Sequence, residues 1–482
     1  MSETVPALDP STFDPVQTGF FRFRRLDGKY LITNDFGRYR FLSDEEFRGF
    51  VAGTLDKKAL LYTRLVNDGF IRDHLDFDGL AAVWRSRNRH LWQGPSLHVV
   101  VPTRRGELGA AKRGAAREMS LKTAERVAAR IFESPSPSIA VEFQGAEPLA
   151  NWPVVKLIIE ESRKKALKTG KELRLSLVSN LSLMTDEKLK FLLKNEVGIR
   201  TALDGPASLH DKSRPFVGGN GHGKTVRWFR AIGEKTKNKP FRVSAVLTVT
   251  RLSLAKHREI LDEYVRLGAD GIFLRRLSPF DVPRKSWDKI GCTAEEFLEF
   301  YRKTLDAVLA LNKRKLFVEQ TARIFLTRIL TAADPRSTNL RSPSGAGLGQ
   351  LAYDVDGSVY ACDEGLQVSR GGDDSFKIGD VAEGTYQDLA AHPAVKALAV
   401  ASLLDNQPEC SRCAYMPYHG VSPVQCYVEQ GDIMGRMPTN TRCRVHKGIL
   451  DYLFEKLQDE KNETIFRKWL RQKEESVSCQ RL

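Results

Sequence analysis

The chain has 482 residues, room for two to four domains with cores of their own. Its 41% hydrophobic and 28% charged content is ordinary for a soluble globular protein, and no uncharged apolar run of about 18 residues offers a membrane span. The net charge of +15 suits an acidic partner, but the Lys and Arg are spread along the chain without interleaved aromatics to stack bases, so nucleic acid is not an expected ligand.

The opening MSETVPALDPSTFDP has no basic start and no apolar core, so it does not read as a secretory signal, and a cytoplasmic location is expected. Residues 1–92 read as a small α+β module. GFFRFRRL, GKYLITN and GRYRFL are short strands, turned at Asp27-Gly28 and around Asn34 to Gly37. Ser43 and Glu46 form a capping box that opens a helix, and a second helix is expected from Asp56 to Asn67. A module this small is either a structural cap or a recognition element.

From Ser96 strands and helices alternate, through residues 93–330. The apolar runs are LHVVV, IAVEF, LRLSLV, GIRTAL, VSAVLTV and GIFLRRL. Helical stretches are expected near 120–133, 152–168, 185–194, 224–234, 254–267 and 293–312. Such units imply a parallel sheet, either open and doubly wound or a partial barrel. Chemistry in both sits at the C-terminal strand ends. That places residues 102–118, Gln144 to Pro148, Ser179-Asn180, Asp204 to Pro206 and Arg275-Arg276 on one rim. In the QGAEP turn, Gly145 permits close ligand approach and Glu147 can accept hydrogen bonds from an amine. Gly218-x4-Gly223-Lys224-Thr225 matches the phosphate-loop pattern. However, the preceding LHDKSRPFV is not a buried strand, so a flexible loop is expected there.

After residue 330 the stretch RSPSGAGLGQ reads as a linker, and LAYDVDGSVYACDEG as a hairpin turned at Asp356-Gly357. Residues 331–447 hold most of the cysteine; a polar, helical tail is expected over 448–482. Of seven cysteines, five lie between Cys362 and Cys443 and none precedes Cys292. Cys410-x2-Cys413-x5-His419 supplies three soft or borderline ligands, and either Cys426 or Cys443 can make the fourth, for zinc or an iron–sulfur cluster. In a cytosolic chain clustered thiols point to metal before disulfides. Cys292 and Cys479 read as incidental.

LHVVVPT, MSLKTAERV, VEFQGAEPL, SNLSLM, LDGPASLHDKSRP, LRRLSPF, YDVDGSVYACDEG and CSRCAYMPYHGVSP together carry a resemblance over residues 18 to 450. The chain resembles the radical SAM enzymes with a C-terminal SPASM domain, in particular the B-type maturase of the His-Xaa-Ser peptide system. The resemblance implies an α/β fold: a partial (β/α)6 barrel, an N-terminal module similar to precursor-peptide recognition domains, and a SPASM-like cysteine-bearing domain. It places S-adenosylmethionine at the strand ends near Gly145 and Glu147, with Ser179 and Asn180 beside it. Asp204 and Arg275 fall on the substrate side. It implies a small precursor peptide and a partner radical SAM maturase as binding partners.

One departure bears on the activity. The family's cluster motif, Cys-x3-Cys-x2-Cys, falls here on Gly106, Ala110 and Arg113, none of which can ligate iron. The core [4Fe–4S] cluster is therefore not expected, and with it the deoxyadenosyl radical. The same segment has gained Arg104, Arg105, Lys112, Arg113 and Arg117, suited to an anion or an acidic face, or merely to solvent. Of the family's two auxiliary clusters, one would use Cys410, Cys413, His419 and Cys443. The other would use Cys362, whose partners are missing, with Cys426 as a partial replacement. A degenerate, non-radical component of a peptide-maturation system is the expectation; the alternative is an active SAM-dependent radical peptide maturase using an atypical cluster site.

Overall fold

A computed structural model describes residues 14, 17–104, 118–216, 218–237, 239, 243–278, 284–331, 333–334 and 337–471. Gly106, Ala110 and Arg113, like Arg105, Lys112 and Arg117, lie outside them.

The N-terminal strands β1 (Arg22–Leu26), β2 (Lys29–Thr33) and β3 (Tyr39–Leu42) form an antiparallel sheet in the order β1-β2-β3. Alternation along β2 sends its two faces to different cores. Tyr30 and Ile32 pack with Phe47 and Phe50 of the helix Asp44–Val51, whereas Leu31 joins the core of the main body. Ser43 and Glu46 make the reciprocal capping box expected of them. The second helix covers only Leu60–Asn67, because residues 52–59 are spent on turns.

All six apolar runs of the central region are parallel strands: β4 (Leu97–Val100), β5 (Ser138–Phe143), β6 (Glu172–Val178), β7 (Val197–Ala202), β8 (Val243–Val249) and β9 (Gly271–Arg276). Continuous apolar runs are what strands covered on both faces require, and β4 is buried throughout. The strands lie side by side in chain order, each pair joined through helix. A doubly wound sheet reverses its strand order at a switch point; this one does not, so the winding is of the barrel kind. The short β10 (Val318–Glu319) extends the sheet beyond β9, and the helix Gln320–Leu330, not anticipated from the sequence, follows it.

On the other side β11 (Gln350–Tyr353) pairs parallel to β4. The hairpin partner β12 (Ser358–Tyr360) and then β13 (Lys377–Asp380) continue antiparallel, giving a sheet of ten strands among the described residues. The hairpin turns at Asp356-Gly357 as expected, with Gly357 at φ 97°.

Two expectations fail. RSPSGAGLGQ is not a linker: Arg341 is buried in an ion pair with Asp334 at 2.5 Å, the Ser344 amide donates to Ser402 Oγ at 2.8 Å, and Gly347 donates to the Ala361 carbonyl at 2.7 Å. Its glycines serve close packing, since a Cβ on Gly345 would stand 2.7 Å from that of Thr338. As far as it is described, to Arg471, the tail is helical but not polar throughout. The helix Thr441–Leu457 runs across residue 448, and Glu460–Arg471 buries Phe466 and Trp469 completely. No helix among the described residues is long and apolar enough to cross a membrane.

Candidate functional site

The rim after β5 and β6 converges on Glu147. One carboxylate oxygen accepts from Ser179 Oγ at 2.7 Å and from the Leu149 amide at 3.1 Å; the other accepts from the Asn180 amide at 2.9 Å. Thr103, just beyond β4, donates its hydroxyl to the Glu147 carbonyl at 3.1 Å. Gly145 makes this approach possible: its φ is 129°, and a Cβ there would meet the Thr103 carbonyl oxygen at 2.7 Å. Gly145, Glu147, Ser179 and Asn180 are therefore brought together. The carboxylate expected to receive an amine is already engaged by the protein's own donors, and burial pushes its pKa up.

Asp204 is buried behind β7. It accepts from Arg214 Nε at 2.8 Å and from the Thr248 amide at 3.2 Å. Arg275 pairs in register with Thr248 across β8 and β9. Arg214 and Arg275 both line a cavity of about 190 Å³ inside the sheet, with Glu142, Gln144, Arg200 and Thr248. Sequence reasoning missed Arg200 and Glu142, which sit mid-strand as isolated charges in apolar runs. That placement is itself the available signal, since a charge inside a buried strand needs a partner or a ligand.

The C-terminal thiols collect around a second, larger cavity of about 820 Å³ between β1 and the segment 404–447. Cys410, Cys413, Cys443 and His419 all line it. Cys426 packs beside Cys410 in the same small apolar cluster, against Val421 and Met437. Cys362 is elsewhere. It caps the helix Asp363–Ser369, its sulfur accepting from the Gly365 amide at 3.3 Å, and belongs to the main core. The N-terminal sheet closes this region: Arg22 Nε donates to the Ser411 carbonyl at 2.6 Å and Thr33 Oγ1 to the Ala414 carbonyl at 2.7 Å.

No protein-family model matches the chain. In sequence it is similar to the cysteine-type anaerobic sulfatase-maturating enzyme of Clostridium novyi (strain NT), with 24% identity over 303 residues, 62% of this chain and 76% of that one. The enzyme of the same description from Clostridium perfringens (strain 13 / Type A) is 22% identical over 342 residues, 69% of this chain and 86% of that one. Among solved structures, polyhistidine-tagged anSMEcpe with bound AdoMet matches with a TM-score of 0.65 at 18% identity, covering 80% of this chain and 100% of that one. Streptococcus suis SuiB bound to precursor peptide SuiA matches with a TM-score of 0.51 at 13% identity, covering 89% and 99%. The chain shares with anSMEcpe and SuiB a mixed α/β fold built on a large parallel sheet.

Within that fold the cysteine cavity gathers metal-type donors along one lining without drawing them into a single ligand cluster. Among the described residues no group of three or more His, Cys, Asp or Glu side chains stands close enough to hold a metal ion. Burial pushes the Cys410 and Cys426 thiols up to about 12, with neighbouring thiols adding to the shift at Cys410, and it raises Cys443 as well. Such thiols are protonated and inert until a cation displaces the proton. His419 is pushed down to about 3, first by burial and then by Arg442 and Arg328, so its ring is neutral, the form that ligates. Its Nε2 is buried without a hydrogen-bond partner.

His446 was missed. Its ring lies 4.9 Å from that of His419, edge to face, and its Nδ1 is likewise buried and unpartnered. The overlooked signal was Cys443-x2-His446, an i, i+3 pair on one face of the helix Thr441–Leu457. The donor set of three thiols, a neighbouring fourth and two neutral imidazoles fits a soft or borderline metal in kind. The phosphate-loop match gains no support, because a helix (Ala207–Ser213) and not a strand precedes it. Asn220 simply caps the helix Gly221–Thr236, and Lys224 lies over the Phe216 ring at 4.1 Å.

Proposed function

We propose that the chain is a non-radical member of a peptide-maturation system of the His-Xaa-Ser type, which binds a small precursor peptide and supports an active partner maturase in the cytoplasm. The observation that carries this is the donor chemistry at Gly106, Ala110 and Arg113: two residues with no donor and one fixed cation where the resemblance places three thiolates. The fold gives the reading its frame. AdoMet is bound in anSMEcpe and a precursor peptide in SuiB, and this chain shares their architecture. The N-terminal module and the cavity arginines Arg214 and Arg275 are the peptide-facing elements of the proposal. S-adenosylmethionine, if retained, would rest against Gly145, Glu147, Ser179 and Asn180.

Cys410, Cys413, His419 and Cys443, with Cys426 adjacent, would hold one iron–sulfur cluster or one zinc ion, and Cys362 would not take part. A closed metal site there would fasten the segment 404–447 and serve structure. Anaerobic reconstitution with iron and sulfide, followed by metal analysis, EPR and a 5′-deoxyadenosine assay, tests the reading. Metal at the C-terminal site without deoxyadenosine supports it; deoxyadenosine above background overturns it. Co-purification with the small peptide and a second maturase tests the supporting role.

The second reading is a radical maturase with an atypical cluster site. The intact convergence of Gly145, Glu147, Ser179 and Asn180 favours it, and the same assay decides between the two.

A further inference from the structure

The cysteine cavity is larger than a metal site needs. Zinc–sulfur bonds are about 2.3 Å long, so one ion and its ligands fill a small fraction of 820 Å³, a volume within the range of about 300–1,000 Å³ typical of organic ligand sites. The thiols and His419 occupy one part of its lining. The remainder is apolar and basic: Phe23, Met416, Met437 and Pro438 alongside Arg25, Arg412 and Lys447. Glu409 is the one carboxylate among the described lining residues.

Charges of this lining are available to a ligand. Arg25 meets Asp44 at 3.3 Å while lying 5.6 Å over the Tyr30 ring, and Arg412 meets Glu409 at 4.0 Å; both ion pairs are exposed, of the kind worth little in water. Lys447 is exposed on the helix that carries Cys443 and His446. Arg24 is committed instead: it pairs with Asp451 at 3.0 Å and lies over the Tyr415 ring, fixing the back wall. A ligand that matches this surface alternates carboxylates with apolar side chains.

We infer that this cavity is a peptide-binding site, taking an acidic stretch whose apolar side chains rest on Phe23, Met416 and Met437 and whose carboxylates meet Arg25, Arg412 and Lys447. The inference rests on the proposed peptide-maturation role and specifies its substrate chemistry. The peptide would run along β1, over the thiols, so binding and the metal site share one wall.

The test is fluorescence anisotropy on the full chain with a short fluorescein-labelled peptide of alternating Asp and Leu, and with its Asn/Leu counterpart. The acidic peptide binds at least about tenfold tighter, and the preference shrinks with added salt. Arg25→Glu combined with Lys447→Glu weakens the acidic peptide by about tenfold or more, whereas Lys164→Glu, on the exposed face of the helix Trp152–Thr169, leaves it unchanged. Thermal melts of each variant confirm folding. Three results overturn the assignment: equal binding of both peptides, insensitivity to the double reversal, or equally strong competition by a single-stranded oligonucleotide of matched charge. If the system's own peptide still co-purifies with the double variant, the cavity assignment fails and the proposed function stands. If deoxyadenosine is formed while the reversal abolishes binding, the function fails and the cavity stands.

Discussion

Arg104 and Asp354 join the two halves of the fold across the β4–β11 seam. Arg104, just past β4, holds the carboxylate of Asp354, just past β11, through two parallel contacts, its Nε at 3.0 Å from Oδ1 and its Nη2 on Oδ2. Asp354 is wholly buried and also accepts from the Val355 amide at 2.8 Å, and the pairing raises the Arg104 pKa further. Arg104 is thus a structural clamp. Arg104→Ala leaves a buried carboxylate without its cation and should destabilise the chain by roughly 3–5 kcal/mol, whereas adding Asp354→Asn should restore part of that loss. Urea unfolding of both variants gives the comparison, and equal stability of Arg104→Ala and wild type would refute the clamp.

The Glu147 carboxyl gives a pH signature. Its pKa is raised above the ordinary 4.5, chiefly by burial, so the folded state holds this proton more tightly than the unfolded chain does. Its contribution to stability is therefore greatest below pH 4.5 and declines as pH rises through the folded value. Glu147→Gln removes that dependence. It also turns an NH2 toward Ser179 or the Asn180 amide, at a cost of about 1–3 kcal/mol. Stability measured across about pH 4–8 for both proteins separates the terms: the wild-type curve steepens within this window relative to the variant.

Buried histidines give the opposite sign. His98, hydrogen-bonded through Nδ1 to Tyr353 Oη at 2.9 Å, and His90, whose Nε2 meets the Pro343 carbonyl at 3.1 Å, are both pushed down to about 3, first by burial. Their unfolded value is near 6.5, so the stability they confer is complete above that pH and is lost as pH falls from 6.5 toward 3. Each pH unit in that window costs about 1.4 kcal/mol per histidine. His98→Gln should flatten the acid limb of a Tm–pH curve by about one proton's share; an unchanged limb would show that His98 is protonated in the fold.

Most strands of the sheet were legible because buried parallel strands are written as continuous apolar runs, as in LHVVV and VSAVLTV. What the sequence concealed was packing between distant segments. RSPSGAGLGQ has the composition of a linker, yet its glycines let the backbone pass beside Thr338 and Ala361, and nothing local announces that. The candidate site divides the same way. Cys410, Cys413 and His419 were visible as a spacing pattern, whereas His446 was hidden among the basic residues Arg442, Arg444 and Lys447 of its helix and Glu142 inside a strand. The separation of Cys362 from the other thiols required the three-dimensional arrangement.

The tail supplies a stability test of this kind. Trp469 is fully buried against Phe466 and donates its indole N–H to Asn312 Oδ1 at 3.0 Å, tying the last helix to the end of the helix Ala294–Leu311. Trp469→Ala should cost about 3–5 kcal/mol and lower Tm measurably, although the residue lies in a segment whose composition reads as solvent-exposed. Retention of wild-type Tm would mean that the tail contributes nothing to the core.

The cysteines and histidines give the last prediction. Cys362→Ala should leave the metal content of the purified protein unchanged and cost only about 1 kcal/mol, because its sulfur caps a helix outside the cavity. Cys410→Ala/Cys413→Ala should abolish metal binding. His446→Ala discriminates further: with His419 4.9 Å away and both rings neutral, losing His446 should lower metal affinity by about 10–100-fold, whether it ligates directly or orients His419. Metal analysis after dialysis against graded chelator reads the affinity. An unaltered metal content in His446→Ala, with Cys410→Ala/Cys413→Ala still metal-free, would confine the site to the residues visible in the sequence.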